Sequence, residues 1–123
     1  ALKASRMGVV AHYYMDVELQ GVLQKASAPI GIADSLRMGD MAVEMCKQHD
    51  LQAIACLGVD FMAESVQAIL RQNGVDVPVY RATPSPIGCS LAESAERDSY
   101  HAWLQQAPSN SLHVIYINTC LET

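Results

Sequence analysis

Several short apolar runs in this chain end in residues that can move protons or hold an oxygen-rich ligand. His12, Tyr13 and Tyr14 follow residues 9–11, Asp34 and Ser35 follow residues 30–33, Asp60 follows residues 53–57, and Tyr116 and Asn118 close the run that begins at Leu112. An imidazole exchanges protons near neutral pH and offers a donor and an acceptor at once. Brought together, His12, Tyr14, Ser35, Tyr116 and Asn118 would make a donor set suited to a small, anionic, oxygen-rich molecule. Cys89 has a different setting. It lies in the segment 81–96, rich in Pro, Gly and Ser and outside any apolar periodicity, which points to a ligand or a reactive thiolate more than to core filling.

Each of these residues also has a purely structural role open to it. His12 can be a hydrogen-bonded strand-end residue, and Tyr14 and Tyr116 can be amphipathic rings that close a core. Asp34 and Asp60 each stand one position before a helical run, so capping accounts for them better than a paired-carboxylate mechanism does. Cys46 and Cys56 fall inside apolar periodic segments and read as small hydrophobes, whereas Cys120 follows the last run and is open to either reading. His49, His101 and His113 read as surface or helix-end residues.

The elements that must position these groups alternate along the chain. Residues 6–11 read as a central strand buried on both faces, because apolar and polar positions do not alternate. Asp16 then caps a helix in which Leu19, Val22, Leu23 and Ala26 recur at helical spacing. Residues 30–33 form a second strand, and Met38, Met41, Ala42 and Met45 mark the buried stripe of the helix behind it. The same pattern returns with a strand at 53–57 and a helix carrying Met62, Val66, Ile69 and Leu70 up to the stop at Asn73 and Gly74. Residues 77–80 are a weaker strand at an edge, because Pro78 has no N–H for the ladder. Segment 81–96 is too long and turn-rich for an ordinary connection and reads as a functional loop. Tyr100, Trp103, Leu104 and Ala107 define another helix, and residues 112–116 a last strand. The pattern predicts an α/β fold: a three-layer αβα arrangement on a short parallel sheet of four to five strands, with residues 1–123 as a single α/β domain. Ligands of such sheets bind at the carboxyl ends of the strands.

Composition narrows the possibilities. Half of the 123 residues are hydrophobic and 17% are charged, a balance that belongs to a globular chain with its own core. A net charge of −5, with eight scattered Lys and Arg residues, argues against a nucleic-acid partner. No stretch is long and apolar enough to cross a bilayer, so a soluble chain without a membrane partner is expected. The cysteines lack C-x-x-C spacing and suit a reducing compartment. Dinucleotide-binding, phosphate-loop and serine-hydrolase turn motifs are all missing.

Five ordered stretches carry a resemblance: His12-Tyr13-Tyr14-Met15-Asp16, Asp34-Ser35-Leu36, Gly58-Val59-Asp60-Phe61-Met62-Ala63-Glu64, Gly88-Cys89-Ser90-Leu91-Ala92 and Tyr116-Ile117-Asn118-Thr119. Together they resemble the successive motifs of the quinolinate synthase family, the A protein of NAD biosynthesis. The resemblance implies an enzyme that condenses iminoaspartate with dihydroxyacetone phosphate, using a [4Fe-4S] cluster held by three cysteines whose fourth iron acts as a Lewis acid. It implies Cys89 as one cluster ligand. It also implies His12, Tyr14, Ser35, Tyr116 and Asn118 along the substrate cavity, with His12, Tyr14 and Tyr116 as the catalytic candidates.

The family is built from three similar α/β domains, each giving one cysteine, and this chain matches the first. It is therefore expected to be a fragment, to lack a complete cluster of its own, and to be inactive in isolation without the remaining domains of the same enzyme. Asp60 stands where many bacterial members carry histidine, and Cys120 where serine is usual. The stretches 15–23 and 57–62 look closer to the plant and algal form, so a plastid location stands as the alternative to a cytoplasmic one. Two other readings remain open at this level: a non-catalytic α/β ligand-binding or interaction module, and a redox sensor in which Cys89 and Cys120 form a reversible disulfide.

Overall fold

The computed structural model describes residues 5–119. Along the chain run β1 (Met7–His12), α1 (Val17–Gln24), β2 (Ile30–Ala33), α2 (Ser35–Gln48), β3 (Ala53–Leu57), α3 (Asp60–Gln72), β4 (Val79–Arg81), α4 (Ser90–Ala95) and α5 (Asp98–Gln106). The strands form one four-stranded parallel sheet in the order β2-β1-β3-β4. This is the α/β, three-layer arrangement that the alternating pattern predicts.

β1 is central because its side chains are apolar whichever way they point. Val10 faces α2 and α3, joining Met38, Ala42, Ile54, Val66 and Leu70 in the main core. Val9 and Ala11 face the opposite side, where Leu19 and Leu23 of α1 cover them together with Ile30 and Ile32. The edge strand β4 relies on a side chain. The Gln67 amide of α3 donates to the Val77 carbonyl at 3.2 Å and accepts the Val79 N–H at 2.9 Å, which satisfies backbone groups that no further strand among the described residues pairs.

Four features depart from the sequence-based expectations. Val22 is exposed and α1 ends at Gln24, so Ala26 lies beyond the helix and Leu23 alone is fully buried on it. Asp60 does not cap α3. Val59 holds the N-cap position, while Asp60 is the first helical residue and its carboxylate pairs with Arg81. The 81–96 loop contains a short helix, α4.

The expected strand at 112–116 does not form: residues 111–116 have no regular secondary structure, and Leu112 is 86% exposed. An apolar run becomes a strand only where an edge accepts its backbone bonds, and among the described residues no strand pairs with it. The preceding helix α5 likewise buries none of its residues. Cys120 lies outside the described residues.

The contact between α2 and α3 is close at Gly39. A Cβ added there would press into the Ile69 side chain, with Cγ1 and Cγ2 each at 3.3 Å and Cδ1 nearer still. Gly21 of α1 has nothing within 4 Å of the same added atom. The two glycines therefore answer oppositely to alanine. Gly21→Ala is expected to stabilise by about 0.5–1 kcal/mol through helix propensity. Gly39→Ala incurs an overpacking cost of about 1–3 kcal/mol that outweighs the same gain. Thermal denaturation of the two variants checks the difference, and a stabilised Gly39→Ala would contradict the close packing.

Candidate functional site

β1 ends at the carboxyl edge of the sheet, and the turn that follows is fixed by its own hydrogen bonds. The Tyr13 N–H donates to the Ala33 carbonyl at 3.0 Å, which ties the turn to the end of β2, and the Met15 N–H donates to the His12 carbonyl at 2.9 Å. Asp16 then caps α1, its Oδ1 accepting from the N–H groups of Glu18 at 2.8 Å and Leu19 at 3.2 Å. Gln20 completes the arrangement. Its Nε2 donates to the carbonyls of Tyr13 at 2.8 Å and Met15 at 2.7 Å, so one amide satisfies two acceptors of the turn that presents the rings. Sequence reasoning passed over Gln20 because hydrophobic periodicity weighs apolar positions. The available signal was a long amide four residues beyond a capping aspartate, one helical turn above the loop it serves.

The three rings lie against one another. His12 and Tyr13 stack with centroids 4.8 Å apart and planes 22° apart, and Tyr13 and Tyr14 meet edge-on at 4.5 Å and 72°. His12 is only 4% exposed, while Tyr14 is 77% exposed. Burial lowers the His12 pKa from its ordinary value, opposed in part by the charge of Asp34. The Tyr14 N–H donates to His12 Nδ1 at 3.2 Å. That bond assigns the ring proton to Nε2, so the imidazole is a neutral donor with its acceptor nitrogen already engaged. Tyr13's phenol is raised first by its hydrogen bond with Tyr14, and the charges of Asp34 and Tyr116 act in the same direction. His12, Tyr13, Tyr14, Asp34 and Tyr116 thus share one neighbourhood.

Asp34 caps α2 as expected, accepting from the Arg37 N–H at 2.9 Å, and Ser35 opens that helix in a buried position. Beside β3, Gly58 approaches His12, and a Cβ added to it would lie 3.7 Å from His12 Cβ. Asn118 Oδ1 and Thr119 Oγ1 are buried and have no hydrogen-bond partner among the described residues. Asn118 was anticipated as a ligand-binding residue; Thr119 was not. A buried acceptor without a partner is costly, and a ligand donor would relieve it.

The adjoining stretch of the edge belongs to Cys89. Cys46, Cys56 and Cys89 are free thiols. Cys56 is the core filler that its periodicity predicted, buried in the sheet with its thiol pushed up to about 12, and half-buried Cys46 is shifted in the same direction by burial. Cys89 precedes α4 at its N-cap position and makes no side-chain capping bond. It lines a cleft of about 260 Å³ with Asp60, Phe61, Ile87, Gly88 and Glu93. Among the described residues no group of three or more His, Cys, Asp and Glu side chains could hold a metal ion. A thiol that makes no capping bond has the chemistry of a metal ligand. Two roomier cavities, each about 500 Å³, lie around Arg6 and His49 and around Trp103 and Leu112, and neither is lined by these residues.

The neutral, buried His12 links stability to pH. Above its ordinary value of 6.5 neither the folded nor the unfolded chain holds the extra proton, so the stability is fully present. As pH falls below 6.5 the unfolded chain is protonated first, and stability is lost until pH passes below the lowered folded value. Melting temperatures between about pH 7.5 and 5 should therefore fall more in the wild type than in His12→Asn. Parallel pH profiles would refute a neutral buried imidazole.

The family model for quinolinate synthetase A protein (NadA) matches residues 1–123. The chain is 53% identical over 128 residues to the quinolinate synthase, chloroplastic, of Arabidopsis thaliana, a match covering 99% of the chain. It is 52% identical to a protein of the same name from Nicotiana tabacum and 49% identical to that of Oryza sativa subsp. japonica. In each case the chain spans about 18% of the relative's length. Matched from end to end by the family model and about half identical to its plant members, the chain belongs to the quinolinate synthetase A family.

Proposed function

We propose that this chain is the first of the three α/β domains of a quinolinate synthase, the enzyme that condenses iminoaspartate with dihydroxyacetone phosphate to quinolinate. The observation that carries the reading is Cys89: a free thiol at the site edge that makes no capping bond to the helix it precedes, in a chain matched throughout by the family model. Cys89 would hold one iron of a [4Fe-4S] cluster, with the other two cysteines supplied by the remaining domains of the same protein. When bound, that cluster supplies Lewis acidity for the dehydration.

The chain's own residues bind and orient. Neutral His12 offers its Nε2–H to a carboxylate or phosphate oxygen, and the outward-facing Tyr14 and Tyr116 hydroxyls donate to the substrates and relay protons. Ser35 and Asn118 complete the binding set, and the buried Asn118 Oδ1, which has no partner among the described residues, is suited to an imine or hydroxyl donor. Gln20 holds the turn so that the rings keep their geometry. The proposed partners are the two small-molecule substrates and the remaining domains of the same protein. The word chloroplastic in the relatives' names favours the plastid location over the cytoplasmic one.

The test uses a full-length family member carrying this segment, reconstituted anaerobically with iron and sulfide. Cys89→Ala is expected to abolish the cluster's visible absorbance and quinolinate formation, whereas Cys46→Ala retains both. A full complement of iron in Cys89→Ala would overturn the assignment.

A further inference from the structure

The segment that carries Cys89 leaves β4 and is fastened at three points. The Ala82 N–H donates to the Cys56 carbonyl at 3.2 Å, which prolongs the pairing of β4 with β3. The other two fastenings belong to Asp60. Its backbone N–H donates to the Ile87 carbonyl at 2.9 Å, and its carboxylate meets the Arg81 guanidinium at 2.7 Å. Asp60 therefore grips both ends of the 82–87 excursion, at the last residue of β4 and two residues before Cys89. The Asp60 side chain is 29% exposed and the Arg81 side chain 44%, so the pair is partly shielded from solvent. Inside the excursion, Thr83 Oγ1 accepting from the Ser85 N–H is the only side-chain hydrogen bond among the described residues.

From this geometry we infer that Asp60 and Arg81 are positioning residues for the thiol of Cys89, an inference that rests on the reading of Cys89 as a cluster ligand. The reasoning is mechanical. A ligand on a loop holds a shared centre only as well as the loop is held, and removing groups that support a ligand commonly costs about 10–100-fold in metal affinity. Asp60 stands on α3, whose Phe61, Met62 and Val66 are buried in the core, so the grip is anchored to the rigid part of the domain. The carboxylate is free for this role because it does not cap its helix. The cleft beside it also contains Glu64, Glu93 and Glu96, so the charge of Arg81 offsets part of an acidic surround.

A brace and a simple charge effect make different predictions, because neutralising either partner releases the loop while the two changes move the local charge in opposite directions. The experiment measures iron release to a chelator from the reconstituted full-length protein carrying Asp60→Asn, Arg81→Gln, both together, or the exchanged pair Asp60→Arg with Arg81→Asp. The brace predicts release several-fold faster in both single variants and no faster still in the double one, since the shared interaction is lost once. It also predicts partial recovery in the exchanged pair. Thermal midpoints should stay within about 3 °C of the wild type, as a partly exposed pair contributes little to global stability. Opposite effects of the two single variants, or unchanged release in both, would overturn the brace while leaving Cys89 as a ligand. A cluster that survives Cys89→Ala would instead remove the reading on which it rests.

Discussion

β1 is paired in parallel on both flanks, with Val9 opposite Ile30 on one side and Ala55 on the other, and this double pairing sets the position of everything at the carboxyl edge. Because the strands run in one direction, His12, Asp34 and the Gly58–Asp60 stretch must all emerge at the same end. The pairing is possible only because Val9, Val10 and Ala11 are buried and apolar on both faces, which lets helices cover the sheet from either side. A polar residue at position 10 would have to enter the main core between α2 and α3, and the strand ends would lose their common reference.

On that edge the candidate groups fall into two sets. The rings of His12, Tyr13 and Tyr14 sit over β1, held by Gln20 from α1 and by the bond of Tyr13 to Ala33. The thiol of Cys89 sits beyond β3, in a cleft it shares with Asp60 and Phe61 at the start of α3. Between them lies Gly58, small enough to let the end of β3 come up to His12. The two halves therefore rest on different helices, and a disturbance in α1 reaches the rings before it reaches the thiol.

Much of this was legible in the chain. The helical stripe of α2, the limits of β3, the capping of α1 and α2 by Asp16 and Asp34, and the filler role of Cys56 follow from local rules, because their causes lie within a few residues of their effects. What was not legible depends on partners distant in sequence. Asp60 looked like a cap because its position before the helix is local information, whereas its partner Arg81 lies across the sheet edge. Gln20 and Gln67 act on backbone groups of other elements, and no periodicity reports that. Residues 112–116 carry a strand-like composition, yet a strand needs an edge, and composition cannot say where one is.

The exposure of the α5 region has a spectroscopic consequence. Trp103 is the sole tryptophan of this 123-residue chain; it is 61% exposed and stacks on Tyr100 with planes 19° apart, on a helix that buries nothing in the core. Its emission therefore starts from a wet indole in the native state and has little further to shift when the sheet comes apart. Intrinsic fluorescence in this protein is a reporter of the α5 arm and its surroundings. The opening of the α/β core is read instead through the far-ultraviolet dichroism of its helices or the exposure of the Cys56 thiol to a labelling reagent.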